Sequence, residues 1–151
     1  MITIVTGTPC TGKTTVAKRL AREKHAKYID VNKVIKEKRL AGGYDRKRKC
    51  YIVDIKKLNF ALIKIIKEAR KSKENLVIDS HLSHYLPKNY VNLCIITKCG
   101  LKELKKRLEK RNYSKAKVRE NLDAEIFDVC LVEAKEFGHK IRVVDSSKRQ
   151  R

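Results

Sequence analysis

Gly7-Thr8-Pro9-Cys10-Thr11-Gly12-Lys13-Thr14 fits G-x-x-x-x-G-K-[ST], the loop pattern that cradles a polyphosphate. Its flanks fit as well. The apolar run at 2–5 reads as a buried strand leading in. Residues 15–21 read as a helix leading out, with Val16, Ala17, Leu20 and Ala21 on one face. The chemistry calls for these residue types. Gly7 and Gly12 let the backbone bend and come close to an anion. The stretch through Pro9, Cys10, Thr11 and Gly12 then wraps it, with loop N–H groups and the helix N-terminus pointing inward. Lys13 reaches the β- and γ-phosphates of a nucleotide, the Thr14 hydroxyl suits Mg²⁺, and Thr15 faces the α-phosphate. The competing reading is a glycine turn that merely holds a lysine. Strand, loop and helix in register argue against it.

The chain has 151 residues, the size of one domain (1–151) with a real core. No apolar run is long enough to span a membrane. The opening MITIVTG lacks the basic flank and cleavage site of a signal peptide, so a cytoplasmic protein is expected. The five cysteines form no C-x-x-C pair, and an odd count argues against a disulfide framework. Cys94 reads as a small core residue. Lys and Arg number 38 against 17 acids, a formal net charge of +21. Many of these lysines solvate helix faces. A small nucleotide enzyme does not need such an excess, and a polyanionic partner, RNA first, accounts for it better.

Outward from the loop, 26–31 reads as a second strand and 32–39 as a short helix. Residues 40–49, with Gly42-Gly43 and the basic run Arg46-Lys47-Arg48-Lys49, read as a loop serving as a flap or substrate wall. Asp54 caps a helix with Leu58, Leu62, Ile65, Ile66 and Ala69 on one face. Strands follow at 76–79 and 93–97. Leu101, Leu104 and Leu108 mark a helix. Ser114 caps a longer one that carries Val118, Leu122, Ile126, Val129 and Cys130 inward and stops at Gly138. Residues 141–144 close the sheet, and the basic tail 146–151 reads as frayed. Short unalternating strands between helices predict an α/β fold: a P-loop NTPase with a five-stranded parallel sheet covered by helices on both faces. Gly7 and Asp79 both follow strand ends, where such sheets bind ligands.

Asp79 is placed to hold Mg²⁺, or else to cap the next turn. His81, two residues on, reads either as a group orienting a water beside the γ-phosphate or as a loop histidine. His84 is a weaker candidate, and His25 and His139 read as surface residues. Arg107 and Arg111 share a helix face. Two readings stand for them: neutralising a transferring phosphoryl group, or belonging to one more basic helix.

These residues resemble the adenylate kinase isoenzyme 6 family nearly end to end. The resemblance rests on the loop, on Gly43-Tyr44-Asp45 leading to Cys50, and on Asp79-Ser80-His81. It rests further on Arg107-Leu108-x-x-Arg111-x-Tyr113-x-x-x-Lys117 followed by Glu120-Asn121-Leu122-x-x-Glu125-Ile126. It implies a nucleoside-monophosphate-kinase-like protein using ATP and Mg²⁺. A monophosphate-binding segment lies at about 30–53 and a short lid at about 108–118. It implies AMP or a related monophosphate as acceptor, Asp79 and His81 as the Walker B pair, and Arg107 and Arg111 at the lid base. ATP hydrolysis, a small-subunit ribosomal protein and pre-ribosomal RNA belong to the same implication. Two stretches depart from ordinary adenylate kinases. Lys33-Val34-Ile35-Lys36 puts Lys36 where they carry arginine, and Ser80-His81-Leu82-Ser83 has none where they carry Gly-Phe-Pro-Arg. Lysine cannot grip phosphate with a bidentate fork. Cys10 stands where the family commonly has a small residue. Besides phosphotransfer, two alternatives remain open: a nucleotide-gated assembly factor that binds RNA or a ribosomal protein, and a kinase for another small acceptor.

Overall fold

Five parallel strands run side by side in the order β2-β5-β1-β6-β7 in the computed structural model, which describes residues 1–47 and 50–148. They are β1 (Ile2–Gly7), β2 (Lys27–Asp30), β5 (Leu76–Asp79), β6 (Leu93–Lys98) and β7 (Ile141–Asp145). Side-chain alternation divides their residues between two cores. Ile2, Ile4, Leu76, Ile78, Cys94 and Ile96 face α3 (Ile55–Lys71) and α6 (Val129–Glu136). Val5, Val77 and Ile95 face α1 (Lys13–Glu23) through Val16, Ala17 and Ala21. Both faces are therefore covered, which is why the central strands β1, β5 and β6 carry mostly apolar runs. Cys94 lies in the first core, where burial pushes its thiol up to about 12. A third, smaller core joins α4 (Leu101–Lys110) to α5 (Lys115–Ile126) through Leu104, Leu108 and Val118.

Three expectations need correction. The stretch 40–49 is not a plain loop. β3 (Ala41–Asp45) pairs antiparallel with β4 (Cys50–Val53), and Tyr44 lies opposite Tyr51 with ring centroids 5.3 Å apart. The register shift between Ala41 and Gly43 breaks the alternation that would have announced a strand. Arg48 and Lys49 of the basic run lie outside the described residues.

The helix after Ser114 is two helices. Asp128 takes a left-handed conformation between α5 and α6, and Ile126 and Val129 point outward, Ile126 with 49% exposure. The cause is Lys98 at the end of β6. Its ammonium donates to the Glu125 carbonyl at 2.9 Å and to Asp128 Oδ1 at 2.5 Å, and pairs with the buried Glu125 carboxylate. These bonds hold the break and restart the next helix in a new phase.

The tail is not frayed at Ser146 and Ser147. Ser146 N–H donates to the Lys98 carbonyl at 2.8 Å, and Ser147 Oγ accepts from Gly100 N–H at 2.7 Å. Residues 149–151 lie outside the described residues.

Lys98→Met leaves the Glu125 carboxylate buried without its cation. Urea denaturation of this variant is expected to show a loss of about 3 kcal/mol, with Val118→Ala, a packing change on the same helix, costing less.

Candidate functional site

The loop between β1 and α1 is shaped by one close approach. A Cβ on Gly7, at φ 151°, would stand 2.4 Å from Thr97 Oγ1 and 2.6 Å from the Thr97 carbonyl, so only glycine fits. Beyond it, the Thr8 carbonyl accepts three bonds: from Thr11 N–H at 3.2 Å, Thr11 Oγ1 at 2.6 Å and Lys13 Nζ at 3.0 Å. Gly12, at φ 79°, turns the chain into α1. Cys10 is also left-handed, at φ 67°. Burial lowers the Lys13 pKa, opposed by the charge of Asp79. An anion in the loop would restore the ammonium's preference for its charge.

Asp79 ends β5 and is buried, with 6% exposure. Its Oδ2 accepts from the Thr14 hydroxyl at 2.7 Å and from the Tyr28 hydroxyl at 2.8 Å. The bond from Tyr28, on β2, was not foreseen. Burial and the hydrogen bond to Asp79 raise the Tyr28 pKa, so the phenol stays a donor. Thr14 and Asp79 together offer hard oxygens at one point, a donor set suited to Mg²⁺ completed by phosphates and water. His81 opens the turn after β5. Its ring keeps area open to solvent, yet the surrounding protein and the charge of Lys13 push its pKa down to about 4.

Two cavities meet at the loop. The larger, about 1200 Å³, lies over Gly12 and Thr15 between Arg19, Lys110 and Ser146. The other, about 680 Å³, is floored by Lys13, Asp79 and His81 and walled by Tyr44 and Tyr51 of the hairpin. Gly12, Thr15 and Arg111 line both. Arg107 walls the larger cavity, but its guanidinium is engaged: Nε donates to Glu103 at 3.1 Å, one amino group to the Cys10 carbonyl at 3.3 Å and the other to the Ser146 carbonyl at 2.8 Å. Thus the structure brings together the loop residues, Asp79, His81 and Arg111, with Arg107 on the wall of the larger cavity. Lys36 is exposed and is not among the residues lining the cleft.

Four residues that entered the sequence analysis only through the family resemblance, without a role, form a polar stripe on and just before α5. Tyr113, Lys117 and Asn121 line the smaller cavity. With the buried Glu125 they recur every four residues, and this spacing was the available signal. His139 is a correction: it is buried and its Nε2–H donates to the His84 carbonyl at 2.9 Å. His84, 1% exposed, bridges Thr6 Oγ1 at 2.9 Å and Glu133 Oε2 at 2.7 Å, linking β1 just before the loop to α6. As neutral imidazole it accepts from Thr6 and donates to Glu133.

The sheet order, loop and strand-end carboxylate are those of a P-loop kinase. A family described as AAA domain matches residues 3–128. The adenylate kinase isoenzyme 6 homolog of Dictyostelium discoideum is 37% identical over 134 residues, 87% of this chain and 73% of that one. The homolog of Schizosaccharomyces pombe is 38% identical over 141 residues, 93% of this chain and 78% of its own. The chain belongs to the adenylate kinase isoenzyme 6 family. Its fold is also that of shikimate kinase from Bacteroides thetaiotaomicron, with TM-score 0.55 and 12% identity over 100% of this chain and 89% of that one.

Burial lowers the His84 pKa; Glu133 opposes this and His139 adds to it. The unfolded chain therefore binds a proton on this group that the folded chain does not. The stability that His84 contributes is complete above about pH 6.5 and declines as pH falls below it. Urea midpoints taken between about pH 7.5 and about 5 should fall with acid in the parent and less steeply in His84→Asn.

Proposed function

We propose that this chain is a Mg²⁺-dependent ATP:AMP phosphotransferase that also hydrolyses ATP. The observation that carries the reading is the meeting of two cavities at one phosphate loop, with Gly12, Thr15 and Arg111 at the junction and the bonded pair Thr14 and Asp79 in the smaller one. The larger cavity would take the donor and the smaller the monophosphate. Segment 30–53 then supplies the acceptor wall, since Asp30, Tyr44 and Tyr51 line that side. Segment 108–118 acts as the lid, since Arg111 reaches both cavities.

Lys13 leaves the Thr8 carbonyl for the β- and γ-phosphates, and the amides of the loop bind their oxygens. Thr14 and Asp79 would hold Mg²⁺, which draws negative charge from the phosphates when bound. Tyr28 keeps the Asp79 carboxylate in one orientation. Arg111 neutralises the transferring phosphoryl group, and Arg107 ties the loop to the donor wall. His81, uncharged at neutral pH, orients a water where no acceptor is bound. Catalysis of this kind is positioning and charge neutralisation.

Product analysis with ATP and Mg²⁺, with and without AMP, tests the reading. Two ADP per ATP consumed, formed only with AMP and spared by His81→Ala, marks a monophosphate kinase. ADP plus phosphate without AMP, abolished by His81→Ala, marks hydrolysis as the main chemistry. Lys13→Met is expected to lower both by roughly 100-fold or more, and full turnover in that variant defeats the scheme.

A second reading, an assembly factor in small ribosomal subunit maturation in the cytoplasm, has its own support. Phe60 on α3 is 68% exposed among Lys56, Lys57 and Lys64, a flat ring with cations around it, in a chain of net charge +21. Aromatic and lysine side chains in this arrangement suit a single-stranded polyanion. Pre-ribosomal RNA and a small-subunit ribosomal protein are the partners the family resemblance supplies. Binding of a labelled single-stranded RNA should weaken steeply with salt. Phe60→Ala should weaken it further by about tenfold, and salt-independent binding defeats this reading. Among the described residues no helix is long and apolar enough to cross a membrane.

A further inference from the structure

Transfer between two phosphates collects negative charge that Lys13 and Arg111 alone do not match. In the proposed reaction the bond from the γ-phosphorus to ADP breaks, and ADP leaves with the electron pair. A bond from an AMP phosphate oxygen to the same phosphorus forms. Dianionic AMP attacks without losing a proton, and tetra-anionic ATP with that AMP gives two trianionic ADP. The γ-phosphoryl group and the AMP phosphate that attacks it bring their share of that charge to the place where the two cavities meet. On the acceptor side of that place the strand-end turn Ser80-His81-Leu82 carries no cation, and Lys36 is exposed and does not line the cavity.

We propose that Lys117 supplies the missing cation as a catalytic residue, its ammonium binding the phosphoryl group in transit. The inference rests on the phosphotransfer reading and names a further contact in that site. Lys117 lines the cavity with Lys13, Asp79, His81 and Arg111. It is held from three directions. Its backbone N–H donates to the Ser114 hydroxyl at 3.2 Å, capping α5. Its carbonyl accepts from Asn121 Nδ2 at 2.8 Å. Its ammonium rests 4.0 Å from the centroid of the Tyr113 ring. A ring face attracts an ammonium through its quadrupole and leaves N–H donors free for phosphate oxygens. Two other basic residues around the loop are engaged by carboxylates: Arg107 by Glu103, and Lys98 by Glu125 and Asp128. No ion pair of Lys117 occurs among the described residues. The group is thus oriented before substrate arrives, which is the condition for a large electrostatic contribution.

The test compares parent, Lys117→Met, Lys117→Arg and Tyr113→Leu in the full chain. Transfer from ATP to AMP is followed beside calorimetric affinity for ATP and for ADP with aluminium fluoride and AMP, a mimic of the group in transit. Lys117→Met is expected to lower kcat and the affinity for the mimic together, by roughly 100-fold. Its ATP affinity should stay within about twofold of the parent. Lys117→Arg should recover part of the loss, and Tyr113→Leu should fall between. Unchanged turnover in Lys117→Met overturns the inference. So does an equal loss of ATP affinity and turnover in both lysine variants with a lower melting temperature, the mark of a structural role. If the parent passes no phosphoryl group to AMP, the functional reading falls. ATP hydrolysis and aluminium fluoride affinity then decide Lys117 separately: a loss in Lys117→Met supports it, and no change overturns it.

Discussion

One oxygen of Asp79 ties the phosphate site to the sheet. It accepts Thr14 from the first turn of α1 and Tyr28 from β2, while its own strand β5 lies between β1 and β2. A buried carboxylate tolerates this position because two hydroxyls satisfy it. The arrangement leaves the other carboxylate oxygen uncommitted to these hydroxyls and sets the spacing between the loop helix and the strand end. Local helix and strand preferences place Thr14 and Asp79 on their elements. The parallel pairing of β1 with β5 brings them to the same rim.

The wall formed by α5 is governed by a different balance. It packs on α4 through Val118 but meets the cleft with polar groups. Lys117, Asn121 and the buried Glu125 continue a line that starts at Tyr113 just before the helix, and Ile126 lies outward. Buried polar groups must be paired, and Lys98, Ser114 and the Lys117 carbonyl provide the partners. A helix held by specific bonds keeps a defined angle to the cleft, and the Lys98 bonds fix where it ends. On the other side of the site, Arg107 joins α4, the loop backbone and Ser146, so the wall of the larger cavity includes residues far apart in sequence.

The loop and its strand and helix were legible because glycine spacing, lysine and hydroxyl occur in a short run with one backbone solution. The central strands β1, β5 and β6 were legible because they are buried on both faces. The hairpin was not: two glycines and a register shift remove the period-two pattern. The break at Asp128 was not, because an apolar period continues through residues 126–130 while a distant lysine ends the helix. Tyr28 received no role, Lys117 entered only through the family resemblance, and His139 read as a surface residue, because polar side chains read as solvent-facing until a partner is known.

By itself the sequence determined the fold class, the phosphate loop, and the strand-end acid with the histidine after it. Each depends on neighbours within a few residues, and there local backbone chemistry decides. Only the tertiary structure decided which hydroxyl orients Asp79, which arginine reaches both cavities, and which lysine lies free above a ring. The bonds from Tyr28 to Asp79 and from Arg107 to the Cys10 carbonyl join segments some fifty to a hundred residues apart. In such contacts burial and pairing, rather than residue type, assign each group its place.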